Sequence, residues 1–282
     1  MTIAHLDARA AAAASDRVEA AAFADLFDAA PAALRERLGL EVRQVAGATL
    51  LIAPRMPVAL FNRAIGWGMD LDGGAHVASV SDAQAIAQAF REAGSASWWL
   101  HANPLARPAA LADALLARGW TLPPRRSWAK MLRDTAPLPP ADTALSVGPV
   151  ASSEVEATTQ AIAAVFEMPP FMAAWLAALH GRPRWRVLAL RDGAQVVGGA
   201  CLFVDGPLAW LGMGAVLASH RRRGGQRALM ARRIDDAIAA GCGAIATETG
   251  EPIADEPNPS LANMRRCGFQ VVASRLNLVA PT

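Results

Sequence analysis

Two α/β units in tandem are the fold class that the 282-residue chain predicts. The length exceeds a typical single domain and leaves roughly 140 residues for each unit, enough for a core. A break at 134–144, "DTAPLPPADTA", sets Pro137, Pro139 and Pro140 among polar residues and interrupts the pattern near its middle. On both sides of it, helical periods lead into short β-compatible runs in the same order. The expected boundaries are a first lobe over 1–135, a linker over 136–144 and a second lobe over 145–282.

The first half opens with alanine-rich helices around 8–29 and 31–38. Asp7, Arg9, Asp16 and Arg17 interrupt the N-terminal apolar stretch, so it reads as helix and not as an export signal. "EVRQVAGATLLIAP" and "FNRAIGWGM" are β-compatible runs bounded by Pro or Gly. Residues 82–93 place Ile86, Ala89, Phe90 and Ala93 at helical spacing. "SWWLHANP" reads as a buried strand, and "PAALADALLARGW" as a helix stopped by Gly119. Trp67, Trp98, Trp99 and Trp120 sit inside strand-like runs or at a helix stop, which assigns them to the core.

In the second half, "SSEVEATTQAIAAVF" and "PPFMAAWLAALHG" are helices, with Ser153 as the expected N-cap of the first. "WRVLALRDGAQVVGGACLFVDGPLAWLGMGAVL" reads as three strands joined by the turns "RDG" and "VDG". Helix 225–240 carries Met230, Ile234, Ala237 and Ile238 on one face. Strand 244–249, a helix over 260–267 ending at Gly268, and "FQVVASRLNLV" complete the lobe.

Composition excludes several classes. With 27 basic and 25 acidic side chains, the net charge of +2 supplies no global field for nucleic acid. Cys201, Cys242 and Cys267 lie far apart without CxxC spacing, which disfavours a disulfide framework and a zinc site, so no metal is expected. No run of 18 apolar residues lacks a charge. A soluble cytoplasmic protein with no membrane partner is expected, and its oligomeric state is left open.

One segment needs a chemical reading. "ASHRRRGGQRALMARR" at 218–233 places Arg221, Arg222 and Arg223 before Gly224 and Gly225 at the start of a helix. Unpaired N–H groups at a helix N-terminus attract anions, glycines let the backbone approach them, and arginines add charge. A strand before and an amphipathic helix after complete the layout of a pyrophosphate cradle. The segment is neither GxxxxGK[ST] nor GxGxxG. A solvated basic cap is the bland alternative.

Together with "TETG" and "NPSLANMRRCGF" downstream, this segment resembles the GNAT superfamily of N-acetyltransferases over roughly 145–275. The resemblance implies tandem GNAT-like lobes, each a mixed, mostly antiparallel sheet flanked by helices. It implies acetyl-CoA as acyl donor and direct attack by an amine acceptor. Arg221 and Gly224 then occupy the first and fourth positions of the pyrophosphate loop, with Arg222, Arg223 and Gly225 between and beside them. Gln226 stands where glycine or alanine is usual. Val216 resembles the end of the splayed strand along the pantetheine arm, and Asn258 the asparagine that faces that arm; a turn residue before Pro259 is the alternative for Asn258.

The first half resembles a degenerate GNAT-like lobe, because "HVASVSDAQAI" has no arginine–glycine loop; a generic α/β domain is its alternative. Backbone N–H groups near Gly212–Val216 are the expected oxyanion donors. For the base, Glu248 is preferred, with Glu251, His220 or an ordered water in reserve. Met264 occupies the place where these enzymes often carry an acidic tyrosine, and the chain has no tyrosine. Two other functions stay open: a non-catalytic acyl-CoA-binding regulatory module, and RNA binding through Arg221–Arg223.

Overall fold

The computed structural model describes residues 6–56, 58–71, 77–253 and 258–281. Helix α1 (Ala8–Ala29) starts where Asp7 accepts a 2.7 Å hydrogen bond from the Ala10 N–H. Helix α2 (Ala32–Leu38) stops at Gly39, whose φ of 66° suits glycine. β1 (Glu41–Val45) and β2 (Ala48–Ile52) form a hairpin over Ala46 and Gly47, both at positive φ, as a two-residue turn of primed type requires. β3 (Arg63–Ile65), α3 (Val80–Glu92), β4 (Trp99–Ala102), α4 (Leu111–Leu116) and β5 (Ser127–Arg133) complete the first half.

After an irregular stretch come β6 (Ser146–Pro149), α5 (Val155–Val165) and α6 (Phe171–Ala177). The meander expected from the turn sequences follows as β7 (Trp185–Asp192), β8 (Gln195–Asp205) and β9 (Leu208–Val216). Then come α7 (Gly225–Ala239), β10 (Ala244–Gly250), α8 (Pro259–Arg266) and β11 (Gln270–Leu278). Ser153 does not cap α5: it lies in a 3₁₀ turn over Ser152–Glu154, where the Glu154 carboxylate accepts a 2.9 Å hydrogen bond from the Ala151 N–H.

All eleven strands belong to one sheet, in the order β1-β2-β3-β4-β11-β5-β10-β9-β8-β7-β6. Only β3–β4 and β9–β10 are parallel, and each of those pairs is bridged by a helix, α3 or α7. The halves therefore repeat one connectivity, β3-α3-β4-α4-β5 and β9-α7-β10-α8-β11. They exchange their last strands: β11 lies between β4 and β5, and β5 between β11 and β10. A cut at the proline-rich linker divides the chain without dividing the sheet.

Apolar side chains from the sheet's two faces form separate cores. α1 and α5 cover one face, with Phe23, Phe61, Trp175 and Trp210 in its core. α7 and α8 cover the other, with Leu211, Met230, Ile234 and Phe269. Trp67, Trp98 and Trp120 are buried as expected, and Trp98 stacks on Phe90 at 4.4 Å; Trp99 is only half-buried. Among the described residues, no helix is long and apolar enough to cross a membrane.

Candidate active site

β9 and β10 pair from Leu208–Ala244 to Leu211–Thr247 and then part. β9 stays with β8 as far as Val216 opposite Gly198, and β10 stays with β5 as far as Gly250 opposite Trp128. The wedge has a cause on each side. On β9 the register slips against β8 between Gly199 and Cys201, and Met213 takes a φ of 56°, so the strand bulges. Arg233 of α7 holds the bulge from beneath, donating hydrogen bonds to the carbonyls of Gly212 (3.1 Å) and Cys201 (3.3 Å). Burial lowers the Arg233 pKa to about 10, so the guanidinium stays charged at neutral pH. On the β10 side, the Asn258 amide donates to Thr249 Oγ1 at 2.9 Å and to the Gly250 carbonyl.

A cavity of about 460 Å³ occupies the wedge and passes through the sheet. Its α7 side is lined by Gln226, Met230, Thr249, Asn258 and Met264. Its α1 side is lined by Phe23, Phe61, Trp128, Trp210, Glu248 and Phe166. Gly212 lies over the Trp210 ring, which a Cβ there would meet at 2.0 Å, so only glycine fits.

The arginine loop stands at the outer end on the α7 side, where Gln226 in the first turn of α7 also lines the cavity. The backbone N–H groups of Gly225, Gln226 and Arg227 donate no hydrogen bond among the described residues, as expected at a helix start. Arg221, Arg222 and Arg223 are exposed. Arg223 is tied to Asp192 at 2.7 Å, and Arg221 Nε donates to the Val216 carbonyl at 3.4 Å. The glycine pair also has a packing role. A Cβ on Gly224 would come within 2.7 Å of the Asp142 carbonyl, and one on Gly225 within 2.8 Å of Leu190. Their bareness seats α7 against the linker and the sheet, while the N–H groups remain open to an anion.

Other expected residues are placed as follows. Val216 is buried and paired with β8. Asn258 lines the cavity, but its amide is fully engaged: Oδ1 accepts from the N–H groups of Ser260 (2.9 Å) and Leu261 (3.2 Å), and Nδ2 makes the two β10 bonds. It is the N-cap of α8 and the clasp of β10. His220 turns to Ser219 (2.8 Å) and Asp192 (3.4 Å) and does not line the cavity. Glu251 does line it, accepting hydrogen bonds from Ser127 and, at 2.5 Å, from Ser274. Met264 faces the cavity, whereas Cys267 is buried away from it, and burial raises its thiol pKa.

Glu248 forms the inner wall and belongs to a buried ionic cluster. Its carboxylate touches the Lys130 ammonium and lies 3.7 Å from Arg63 and 3.8 Å from Arg275. Behind it, Glu19 meets Lys130 at 2.6 Å, Arg275 at 2.8 Å and Arg63 at 3.0 Å, while Arg275 also pairs with Asp16 at 2.8 Å. Burial works against a charged Glu19, but Arg275, Lys130 and Arg63 outweigh it and hold the carboxyl well below its usual range. His101, buried beside the three cations, is kept neutral by burial and by their charge. Burial and the neighbouring Arg275 push the Lys130 amine well below its usual range.

Sequence reasoning missed Arg233, Trp128, Trp210, Phe23 and Phe61. Only Arg233 carried a local signal, a cation on the same helical face as the apolar Met230 and Ile234. The first lobe's equivalent helix start is closed: Ser79 Oγ accepts from the Asp82 N–H at 3.3 Å, and the Asp82 carboxylate accepts from the Ser79 N–H at 2.7 Å. Of the segment "HVASVSDAQAI", His76 lies outside the described residues.

Residues 155–269 match the family model of the acetyltransferase (GNAT) family. A comparison with curated protein sequences finds no match. Among solved structures, the chain is similar to a GCN5-related N-acetyltransferase from Kribbella flavida, with 19% identity, 88% of this chain and 92% of that one covered, and a TM-score of 0.60. A GCN5-related N-acetyltransferase from Sphaerobacter thermophilus gives 16% identity, 87% and 83% coverage and a TM-score of 0.59. A tandem GNAT protein from the clavulanic acid biosynthesis pathway gives 15%, 78% and 75%, and 0.53.

Proposed function

We propose that this chain, whose residues 155–269 match the GNAT family model, moves an acetyl group from acetyl-CoA to an amine by direct attack. The observation that carries the reading is the β9–β10 wedge with the open start of α7 at its outer end. The residues fit the cosubstrate. Free N–H groups of α7 with Arg221 and Arg222 suit a pyrophosphate, and the unpaired edges of β9 and β10 suit an amide-bearing arm. Once bound, acetyl-CoA supplies an activated carbonyl with a good leaving group.

The chain's own residues then position and polarise. The β9 bulge, held by Arg233, presents backbone N–H groups of Gly212–Gly214 to the oxygen on which charge develops. Glu248 accepts a hydrogen bond from the amine and orients it, while the amine's proton leaves to an ordered water. A departing thiolate needs no dedicated acid: a thiol pKa of about 8.5 costs only roughly 2 kcal/mol at neutral pH.

Calorimetry with acetyl-CoA, followed by thiol release with a panel of amines, tests the reading. Binding with turnover supports it. Binding without turnover favours the acyl-CoA-binding regulatory module instead, and absence of binding overturns both. Glu248→Gln is expected to keep the acidic limb of the pH–rate profile, which the amine's own ionisation sets; loss of that limb would make Glu248 the base.

A further inference from the structure

The α1 side of the cavity carries a substrate preference. Phe23 comes from α1 and Leu60 and Phe61 from the turn before β3, all in the first half; Phe166 and Met168 come from the loop after α5. Trp128 and Trp210 supply the strand-borne walls. Phe166 is 46% exposed although it borders the cavity, so an aromatic face stands unpacked at the mouth.

The described carboxylates there are already engaged, whereas the indole N–H groups of Trp128 and Trp210 are buried without a partner. Of the described lining residues, the carboxylates are Glu248 and Glu251. Glu248 is neutralised by Lys130, Arg63 and Arg275, and Glu251 is held by the hydroxyls of Ser127 and Ser274. A polyamine or an aminosugar brings several ammonium groups, and among the described lining residues these meet two carboxylates, both already engaged, to replace their lost hydration. An amine with one nitrogen and an apolar body loses little as the neutral base and gains from burial.

We propose that the acceptor is a monoamine with an aromatic or extended apolar group, which the chamber between the two halves holds against Phe166, Trp128 and Met168. This rests on the acetyl-transfer reading above. The chamber gives the first half a role in choosing the substrate, although its own helix start is closed to phosphate.

The test uses the full chain with acetyl-CoA and the series ethylamine, butylamine, hexylamine and phenethylamine, beside spermidine and kanamycin. The expected kcat/KM rises about fourfold per methylene, with phenethylamine near the top and the polycations at background. Phe166→Ala, at an exposed loop position, is expected to flatten the series. Preference for spermidine or kanamycin overturns the proposal. So does a hexanoyl-CoA and ethylamine pair that outruns acetyl-CoA and hexylamine, because the chamber would then hold the acyl chain. Separate calorimetry keeps the two readings apart: acetyl-CoA binding with no slope along the series removes the chamber assignment alone, and absence of binding removes both.

Discussion

Glu248 on β10 stands directly across from Lys130 on β5, and the two charges meet where a strand from each half of the chain borders the cavity. Lys130 is fully buried and also serves Glu19. Burial and the nearby Arg275 push its amine well below the usual range, yet it sits against both carboxylates, so its removal would leave two buried acidic groups short of a partner. Lys130→Met is expected to cost about 3–5 kcal/mol in urea unfolding. A loss under about 1 kcal/mol would show that the remaining arginines hold the cluster alone.

The same cluster sets an acid limit on stability. Glu19 has a folded pKa below its unfolded one, so its contribution is complete above the ordinary carboxylate range and is lost as pH falls through the folded value. Glu19→Gln is expected to be less stable than the parent at pH 7, with the gap narrowing as pH drops below about 4. Thermal unfolding across pH measures this, and a gap that widens in acid would contradict it.

At the proposed anion site the arginines differ. Arg221→Ala and Arg222→Ala are each expected to weaken acetyl-CoA binding by about 1.5–3 kcal/mol. Arg223→Ala should do less, because Asp192 already engages that side chain. Gly224→Ala should destabilise even the free protein by about 1–2 kcal/mol, since φ is 77° and the Asp142 carbonyl blocks the Cβ. Calorimetry for the arginines and unfolding for Gly224 separate ligand contact from packing.

Proteolytic cleavage within 134–144 is expected to leave one particle. Lys130, Arg133 and their neighbours on β5 remain paired with β10 and β11 after the cut. Size exclusion should show the two fragments eluting together in native buffer and apart in urea. Separate elution in native buffer would mean that the exchanged strands contribute little.

Cys267→Ala should leave turnover and its pH dependence unchanged. The thiol is 2% exposed, and burial disfavours the thiolate. An alkaline limb present in the parent and absent in the variant would identify Cys267 as the acid for the departing thiolate.

Much of the order of elements was legible. The three-strand meander announced itself through "RDG" and "VDG", and α7 through its apolar stripe. β5 escaped because Lys130 and Arg133 break its apolar alternation; both are buried by virtue of partners far away in sequence. β6 is too short to show a period. The wedge was only half visible. Two glycines marked β9, whereas its anchors, Arg233 and the Asn258 clasp, draw their meaning from carbonyls that only the folded chain brings near. The aromatic mouth was invisible, since Trp128 and Phe166 stand far apart in sequence and share no pattern that sets them apart.

The insertion of β11 between β4 and β5 imposes a schedule on folding. Those two strands sit in the first half of the chain, and the segment that fills the gap is synthesised only after all of β6 to β10. Until then both present unsatisfied edges, the condition in which strands recruit foreign chains. Such distant pairing also places the rate-limiting step late, because loop closure precedes its reward. A chain stopped before Gln270 would therefore emerge with its middle open, and self-association on a ribosome or in a cell would betray the truncation before any loss of activity did.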